Sequence, residues 1–217
     1  METPLILVLA TRNAGKTAEI RDLLKDFPIE IRNLDDFGPI PEVEEDGATF
    51  DDNAYKKAHF AARVLGFPAL ADDSGLVVEA LNGAPGVYSA RYAGEKASDA
   101  DRCAKLLQAM VGQTRRAAAF ECVISIAVPE GPALTYEARC EGRITDQPQG
   151  ENGFGYDPIF FYPPLNKTFA QMTMTEKSRV SHRGKALREL QAEFDKVLKW
   201  IQQHMPIVVR TGCVSEN

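Results

Sequence analysis

Four segments of the chain carry residue types that can do chemistry together. The first runs Ala10-Thr11-Arg12-Asn13-Ala14-Gly15-Lys16-Thr17. An apolar run of β type, Leu5 to Ala10, leads into it, and helix-forming sequence follows at once, Ala18 to Leu24. A strand that turns tightly into a helix aims backbone N–H groups and the positive end of the helix dipole at one spot, which suits a phosphate. Lys16 adds a point charge, and the Asn13 side chain tolerates the tight turn. An ordinary surface turn is the plain alternative, but Thr, Asn, Gly and Lys converging there favour phosphate. The same residues nearly meet the P-loop pattern G-x-x-x-x-G-K-[ST], with Ala10 for the first glycine. A P-loop NTPase or nucleotide kinase is therefore the rival reading. A turn holding one glycine, with Arg12 and Asn13 where backbone would wrap phosphates, weighs against it.

The second segment is Ala71-Asp72-Asp73-Ser74-Gly75. Two carboxylates at the end of a short strand, Pro68 to Ala71, place at least one within reach of a divalent cation. Magnesium takes such hard oxygen ligands, one or two carboxylates plus substrate phosphates, and then steadies phosphoryl charge. Taken alone the tetrapeptide reads slightly better as a β-turn, since Asp, Ser and Gly are all turn residues. The acidic loop Glu44-Glu45-Asp46 offers a second metal ligand. The third segment is Gly153-Phe154-Gly155-Tyr156-Asp157-Pro158-Ile159-Phe160. Glycines on either side let the Phe154 ring approach a planar ligand such as a nucleobase. Phe160, Phe161 and Tyr162 read as core. The fourth is basic: Lys177, Arg179, Arg183, Lys185 and Arg188 put five positive residues into twelve positions of an acidic chain, with His182 beside Arg183. A polyphosphate binder with negative net charge needs a local cluster of this kind. It reads as the opening of the last helix, whose dipole adds to it.

The elements that must position these residues follow from pattern. Thr49-Phe50-Asp51-Asp52 is a capping box, and Ala54, Tyr55, Ala58, Ala61, Ala62 and Leu65 recur at helical spacing until Gly66 and Pro68 stop the helix. Ser98 to Asp101 caps another helix with Cys103, Leu106, Leu107 and Met110 on its apolar face. Ile29 to Arg32 is a short strand, residues 120–128 alternate as a strand, and residues 133–145 form its hairpin partner. Residues 150–167 read as irregular. The last helix spans about Arg183 to Gln203, and the tail 206–217 shows no pattern and reads as disordered. Helices and strands interleave around a central hairpin, so the fold class is α/β with a mixed sheet.

The chain has 217 residues, 44% of them hydrophobic, enough for one domain with a real core. Its net charge of −6, from 25 basic and 31 acidic residues, argues against sequence-independent nucleic-acid binding. The N-terminus lacks the basic region and length of a secretory leader, and no apolar run is long enough to span a membrane. The 4 cysteines lack C-x-x-C spacing, and with 3 scattered histidines the sequence argues against a zinc site. A cytoplasmic protein with idle thiols is the expectation.

In this order the segments resemble the inosine triphosphate pyrophosphatases, bacterial type. The likeness rests on Ala-Thr-Arg-Asn-Ala-Gly-Lys at 10–16, Thr-Phe-x-x-Asn-Ala at 49–54, Ala-Asp-Asp-Ser-Gly-Leu at 71–76 and Gly-Ala-Pro-Gly-Val-Tyr-Ser-Ala-Arg-Tyr at 83–92. Gly-Phe-Gly-Tyr-Asp-Pro-Ile-Phe at 153–160 and Glu-Lys-Ser-x-x-Ser-His-Arg-Gly at 176–184 complete it, from about residue 5 to about residue 203. The resemblance implies an elongated α/β fold, a central mixed sheet with flanking helices and two lobes around a deep cleft, all in one domain over 1–205. It implies Mg²⁺-dependent hydrolysis of ITP, dITP and XTP to the monophosphate and pyrophosphate, by a homodimer, with no nucleic-acid or membrane partner. Thr11, Arg12, Asn13, Ala14, Gly15 and Lys16 would hold the triphosphate. Asp73 would be the catalytic carboxylate, as metal ligand or general base, with Glu44 or Glu45 helping to hold Mg²⁺. Ser74 would contact substrate, and Phe154, Gly155, Tyr156, Asp157, Lys177, His182 and Arg183 would hold base, sugar or phosphates. Arg12 stands where many members carry glycine.

Overall fold

The computed structural model describes residues 4–12 and 14–205. Asn13 and the tail 206–217 lie outside the described residues, as does the side chain of Ala14. The strands are β1 (Leu5–Leu9), β2 (Ile29–Asn33), β3 (Ala69–Val78), β4 (Ala117–Ala127), β5 (Ala133–Ile144), β6 (Phe160–Tyr162) and β7 (Lys167–Thr168). The helices are α1 (Ala14–Leu23), α2 (Phe50–Leu65), α3 (Asp99–Ala109), α4 (Met174–Val180) and α5 (His182–His204), with short 3-10 turns between elements. The strands form a 7-stranded sheet in the order β2-β1-β3-β4-β5-β6-β7. β1 runs parallel to β2 and β3, and every pairing from β3 onward is antiparallel. The α/β class and mixed sheet expected from the interleaved pattern are what the chain adopts.

The register of β3 makes the site. β3 pairs with β4 along its whole length, Ala69 opposite Ala127 through Val78 opposite Ala118. On its other edge it meets β1 only at Ala69 and Leu70. Among the described residues, no strand flanks that edge beyond Leu70 until Val77 bridges to Pro85. Asp72-Asp73-Ser74-Gly75 is therefore neither a turn nor a strand end. Ladder partners on β4 override the turn preference of its residues, as tertiary pairing does with strand propensity.

Alternation along the strands sorts the core onto two faces. On one face, Leu70, Cys122, Ile124 and Ile126 pack with Ile20 and Leu24 of the α1 region and with Leu187, Leu190, Phe194, Val197 and Ile201 of α5. Further along that face, Leu76, Val78, Phe120, Cys140 and Ile144 pack with Cys103, Leu106 and Met110 of the α3 region and with Phe160 and Phe169. On the opposite face, Ala58, Ala61 and Ala62 of α2 lie against Val8, Ala69, Ala71 and Ala127. Alanine at these three positions of α2 lets this part of the helix sit close to the sheet. The Thr49 and Ser98 capping boxes form as read from sequence, and Gly66 ends α2 in a left-handed conformation at φ 73.

Residues 174–185 depart from the sequence reading. The basic cluster does not open a single helix but spans α4 and the start of α5, with Ser181 as N-cap of α5 accepting from the Gly184 N–H. Gly184 permits the tight corner: a Cβ there would meet the Ser178 carbonyl oxygen at 1.8 Å. The stretch read as irregular, 150–167, contains β6, which with β7 extends the sheet beyond the hairpin. Phe160 is fully buried as expected of core, whereas Phe161 and Tyr162 are only half-buried.

Candidate functional site

Asp72 and Asp73 are neighbours in sequence and point to opposite faces of β3, since side chains alternate along a strand. Asp72 faces α1 and α5. Its Oδ1 accepts from Lys16 Nζ at 2.8 Å, and its Oδ2 accepts from Arg183 Nη2 at 2.9 Å and Nε at 3.2 Å. Burial alone would raise this carboxyl, but the Lys16 and Arg183 charges outweigh it and hold Asp72 far below the usual carboxylate range. Burial likewise opposes the Arg183 charge, and Asp72 restores it. The motif Gly-Lys of the opening turn and the Arg of the last helix thus meet on one carboxylate.

Asp73 faces α2. Its Oδ1 accepts from Lys57 Nζ at 2.9 Å and its Oδ2 from Asn53 Nδ2 at 3.3 Å. Lys57 also donates to Glu45 Oε1 at 3.0 Å, so one ammonium lies between two carboxylates. Burial pushes the Asp73 carboxyl up, and Lys57 and Asn53 offset that only in part, while the Glu45 charge adds to it. Asn53 is fully buried, and its Oδ1 accepts from the Gly47 N–H at 2.8 Å, tying the acidic loop to α2. Arg91 donates to the Glu45 carbonyl at 2.8 Å from the other side. Glu44 is exposed on the same loop.

Around this strand lie two chambers. The larger, about 770 Å³, is charged and is lined by Thr11, Arg12, Lys16, Glu44, Glu45, Asp46, Lys57, Asp72 and Arg91 among others. The smaller, about 270 Å³, is mainly apolar and is lined by Phe120, Phe154, Tyr156, His182 and Met174, with Ser74, Gly155, Asp157, Lys177 and Arg183. Lys16 lines both. The described sequence-predicted residues are therefore split between two adjoining spaces, except Asp73, which lies behind Lys57 and lines neither.

Their freedom to bind differs. Arg12 is already tied to the Ile40 carbonyl at 2.8 Å and to Asp35 and Glu42, so it anchors the loop that closes the charged chamber. Phe154 is 59% exposed at the mouth of the apolar chamber, with Lys177 Nζ 4.5 Å from its ring centroid. Lys177 is bonded to Asp157, whose Oδ2 also accepts from the Phe154 N–H at 2.9 Å. Asp157 thus braces the turn rather than facing the chamber as an open carboxylate. Gly153 is required there: its φ is +80, and a Cβ would strike Asp157 Oδ2 at 2.0 Å. Tyr156 is buried and donates its hydroxyl to the Ser89 carbonyl at 2.9 Å. His182 stacks on Phe120, centroids 4.8 Å apart and planes at 11°, and its buried Nδ1 has no hydrogen-bond partner among the described residues. Burial first, then the Arg183 and Lys177 charges, hold the ring neutral by pulling its pKa well below 6.5.

Of the basic cluster, only Lys177 and Arg183 reach the cleft. Lys185 donates to the Arg139 carbonyl at 3.0 Å. Arg188 donates to the carbonyls of Ser178 and Arg179 at 2.7 and 2.8 Å, capping the end of α4. Arg179 is exposed. The sequence reading missed Lys57, Asn53 and Arg91. Asn53 and Lys57 stand four residues apart on α2, so they share a face with the alanines that meet the sheet. A polar pair on an otherwise apolar helix face was the available signal.

A model of the Ham1 family matches residues 7–193. The chain belongs to the Ham1 family. A relative from Syntrophobacter fumaroxidans named dITP/XTP pyrophosphatase is 67% identical over 196 residues, covering 90% of this chain and 84% of its own length. One of the same name from Desulfotalea psychrophila is 60% identical over 200 residues, covering 92% and 90%. The structure of a HAM1 protein from Coxiella burnetii superposes with a TM-score of 0.86 at 44% identity, covering 88% of this chain and 99% of that one. Membership in the Ham1 family agrees with the resemblance carried by the six motifs, and sets the P-loop alternative aside.

Proposed function

We propose that this Ham1 family member is a nucleoside triphosphate pyrophosphohydrolase acting on dITP, XTP and ITP, releasing the monophosphate and pyrophosphate and so clearing deaminated purines from the nucleotide pool. The observation that carries the reading is the pairing of chambers. An apolar space edged by Phe154 and His182 suits a purine, and a charged space reached through Lys16 suits a triphosphate. The names of the 67% and 60% identical relatives support the same substrates.

The residues divide the work. Phe154 supplies a ring for the base to stack on, a contact of about 1–3 kcal/mol. His182 is neutral and keeps Nδ1 uncommitted, so a purine oxygen or nitrogen can satisfy that buried atom. A buried group satisfied by a 6-oxo purine and left unpaired by adenine discriminates by about 1–3 kcal/mol. Thr11 and Lys16, with Asn13, Ala14 and Gly15 of the same turn, hold phosphates, and Ser74, Gly155, Tyr156, Lys177 and Arg183 shape the passage between chambers. Arg12 acts through the loop that it anchors, and Asp157 through the turn that it braces. Asp73 is the catalytic carboxylate, oriented by Asn53 and Lys57 to accept the proton of the attacking water or to hold metal.

The donors present fit Mg²⁺. Asp73 and Glu45 converge on the Lys57 ammonium, which marks a place where a cation is stable, and Glu44 lines the charged chamber beside Glu45. Two carboxylates match the share of ligands that magnesium draws from protein when phosphates supply the rest. When bound, the ion would neutralise phosphate charge and acidify water. No helix of the described residues is long and apolar enough to cross a membrane. We place the enzyme in the cytoplasm as a homodimer of one-domain chains. Incubation with dITP and Mg²⁺, resolving pyrophosphate from phosphate, tests the reading: pyrophosphate is expected, and phosphate as the first product would overturn it.

A further inference from the structure

Phe154 stands on a turn whose neighbour is gripped from α3. Gly155 has a left-handed backbone, φ +62. Its N–H donates to Asp99 Oδ2 at 2.7 Å, and its carbonyl accepts from the Cys103 thiol at 3.3 Å. Asp99 and Cys103 lie four residues apart, one turn of α3, so they project from the same face. One peptide unit on each side of Gly155 is thereby held by the same helix. Burial and the Asp99 charge push the Cys103 thiol up to about 11, so it keeps the proton that it donates. Asp99 is itself oriented by Arg102, which also donates to the carbonyls of Ala90 at 3.0 Å and Ala97 at 2.7 Å. On the far side of the turn, Asp157 takes the Phe154 N–H. Phe154 is exposed and has little packing of its own, so its ring direction depends on these backbone anchors.

We propose that Asp99, with Cys103, is a positioning residue for the base: α3 clamps Gly155 and so fixes the Phe154 ring at the mouth of the apolar chamber. The inference rests on the reading of that chamber as the purine site. Asp99 also lines the apolar chamber, and the effect assigned to it is on substrate binding through Phe154.

The test is a double-mutant cycle with a conservative control, read as KM and kcat for dITP. Asp99→Ala should raise KM about tenfold, the effect of losing a hydrogen bond to a charged acceptor, with kcat nearly unchanged. Asp99→Asn keeps an oxygen for the Gly155 N–H while losing the ion pair to Arg102, so it should restore a KM near that of the parent. In a Phe154→Ala background, Asp99→Ala should add nothing. An equal KM increase in both backgrounds, or a fall in kcat alone, would overturn the clamp. Amide hydrogen exchange of the free protein separates this from the functional reading. The Gly155 N–H should exchange at least about tenfold faster in Asp99→Ala than in Asp99→Asn. If the parent turns over no dITP, the functional reading fails, and equal exchange in the two variants still rejects the clamp.

Discussion

The two faces of β3 at Asp72 and Asp73 treat the same side chain in opposite ways. Asp72 meets two cations, Lys16 and Arg183, and its carboxyl is held far down. Asp73 must share one cation, Lys57, with Glu45, and burial wins, so its carboxyl is held up. Overcompensated charge makes a joint, and undercompensated charge makes a reactive group. Asp72 ties the opening turn to the last helix, elements far apart in sequence, and so holds the wall shared by both chambers. Asp73 is left with proton affinity to use. The pair shows that adjacency in sequence says little about role when the backbone is a strand.

The largest expected effect comes from emptying the first face. Asp72→Asn leaves Lys16 and Arg183 facing each other without a counter-charge in a buried setting, which costs about 3–5 kcal/mol. Urea denaturation should show a matching loss. The sign with pH follows: a carboxyl whose folded pKa is depressed stabilises fully above its unfolded value near 3.9, and that stability fades as pH falls below it. The parent should therefore lose this contribution only in acid, and Asp72→Asn should flatten that part of the curve. A variant within about 0.5 kcal/mol of the parent at pH 7, the range of ordinary surface changes, would show that Asp72 is no joint.

Emptying the second face should strike activity instead. Asp73→Asn keeps the shape and the contact to Lys57 through its oxygen, and removes the charge. We expect kcat for dITP to fall at least about 100-fold, the range for losing a general base or metal-ligand carboxylate. Stability should change little or rise, because a buried carboxyl with raised pKa destabilises the folded state in its charged form. If Asp73→Asn unfolded the protein and Asp72→Asn abolished turnover at unchanged stability, the assignment of the two faces would have to be reversed.

This division was only partly legible in the sequence. The mixed α/β sheet followed from interleaved patterns and the hairpin at 120–145, and the capped helices from Thr49 and Ser98, because those signals are local. The role of β3 was not legible. Asp, Asp, Ser and Gly carry turn preference, and only their ladder partners on β4, Ile124 to Glu121, far along the chain, make them strand. The cation density at 177–188 pointed to the cleft, yet helical period sends Arg179, Lys185 and Arg188 elsewhere, and the break at Ser181 was needed to see which two turn inward. Lys57 left only a faint mark, a polar pair with Asn53 on an otherwise apolar helix face, and its meaning comes from Asp73 and Glu45 meeting it across the fold.

The smallest effect tests whether one positive field governs the whole Asp72 face. The Arg183 and Lys16 charges that pull Asp72 down also act on His182, and Lys177 joins them, while burial adds the largest push in the same direction. The folded state therefore keeps His182 neutral at pH values where the unfolded chain protonates it. Between the folded value and the unfolded value near 6.5, the unfolded chain binds more protons, so stability rises with pH and levels off above about 7. One such group contributes a slope of at most about 1.4 kcal/mol per pH unit. His182→Phe keeps a ring on Phe120 and removes the titration, so its urea midpoint should vary less between pH 5 and 7 than that of the parent. Equal slopes would mean that His182 is protonated in the folded protein, and a ring charged beside Arg183 would contradict the field inferred from Asp72.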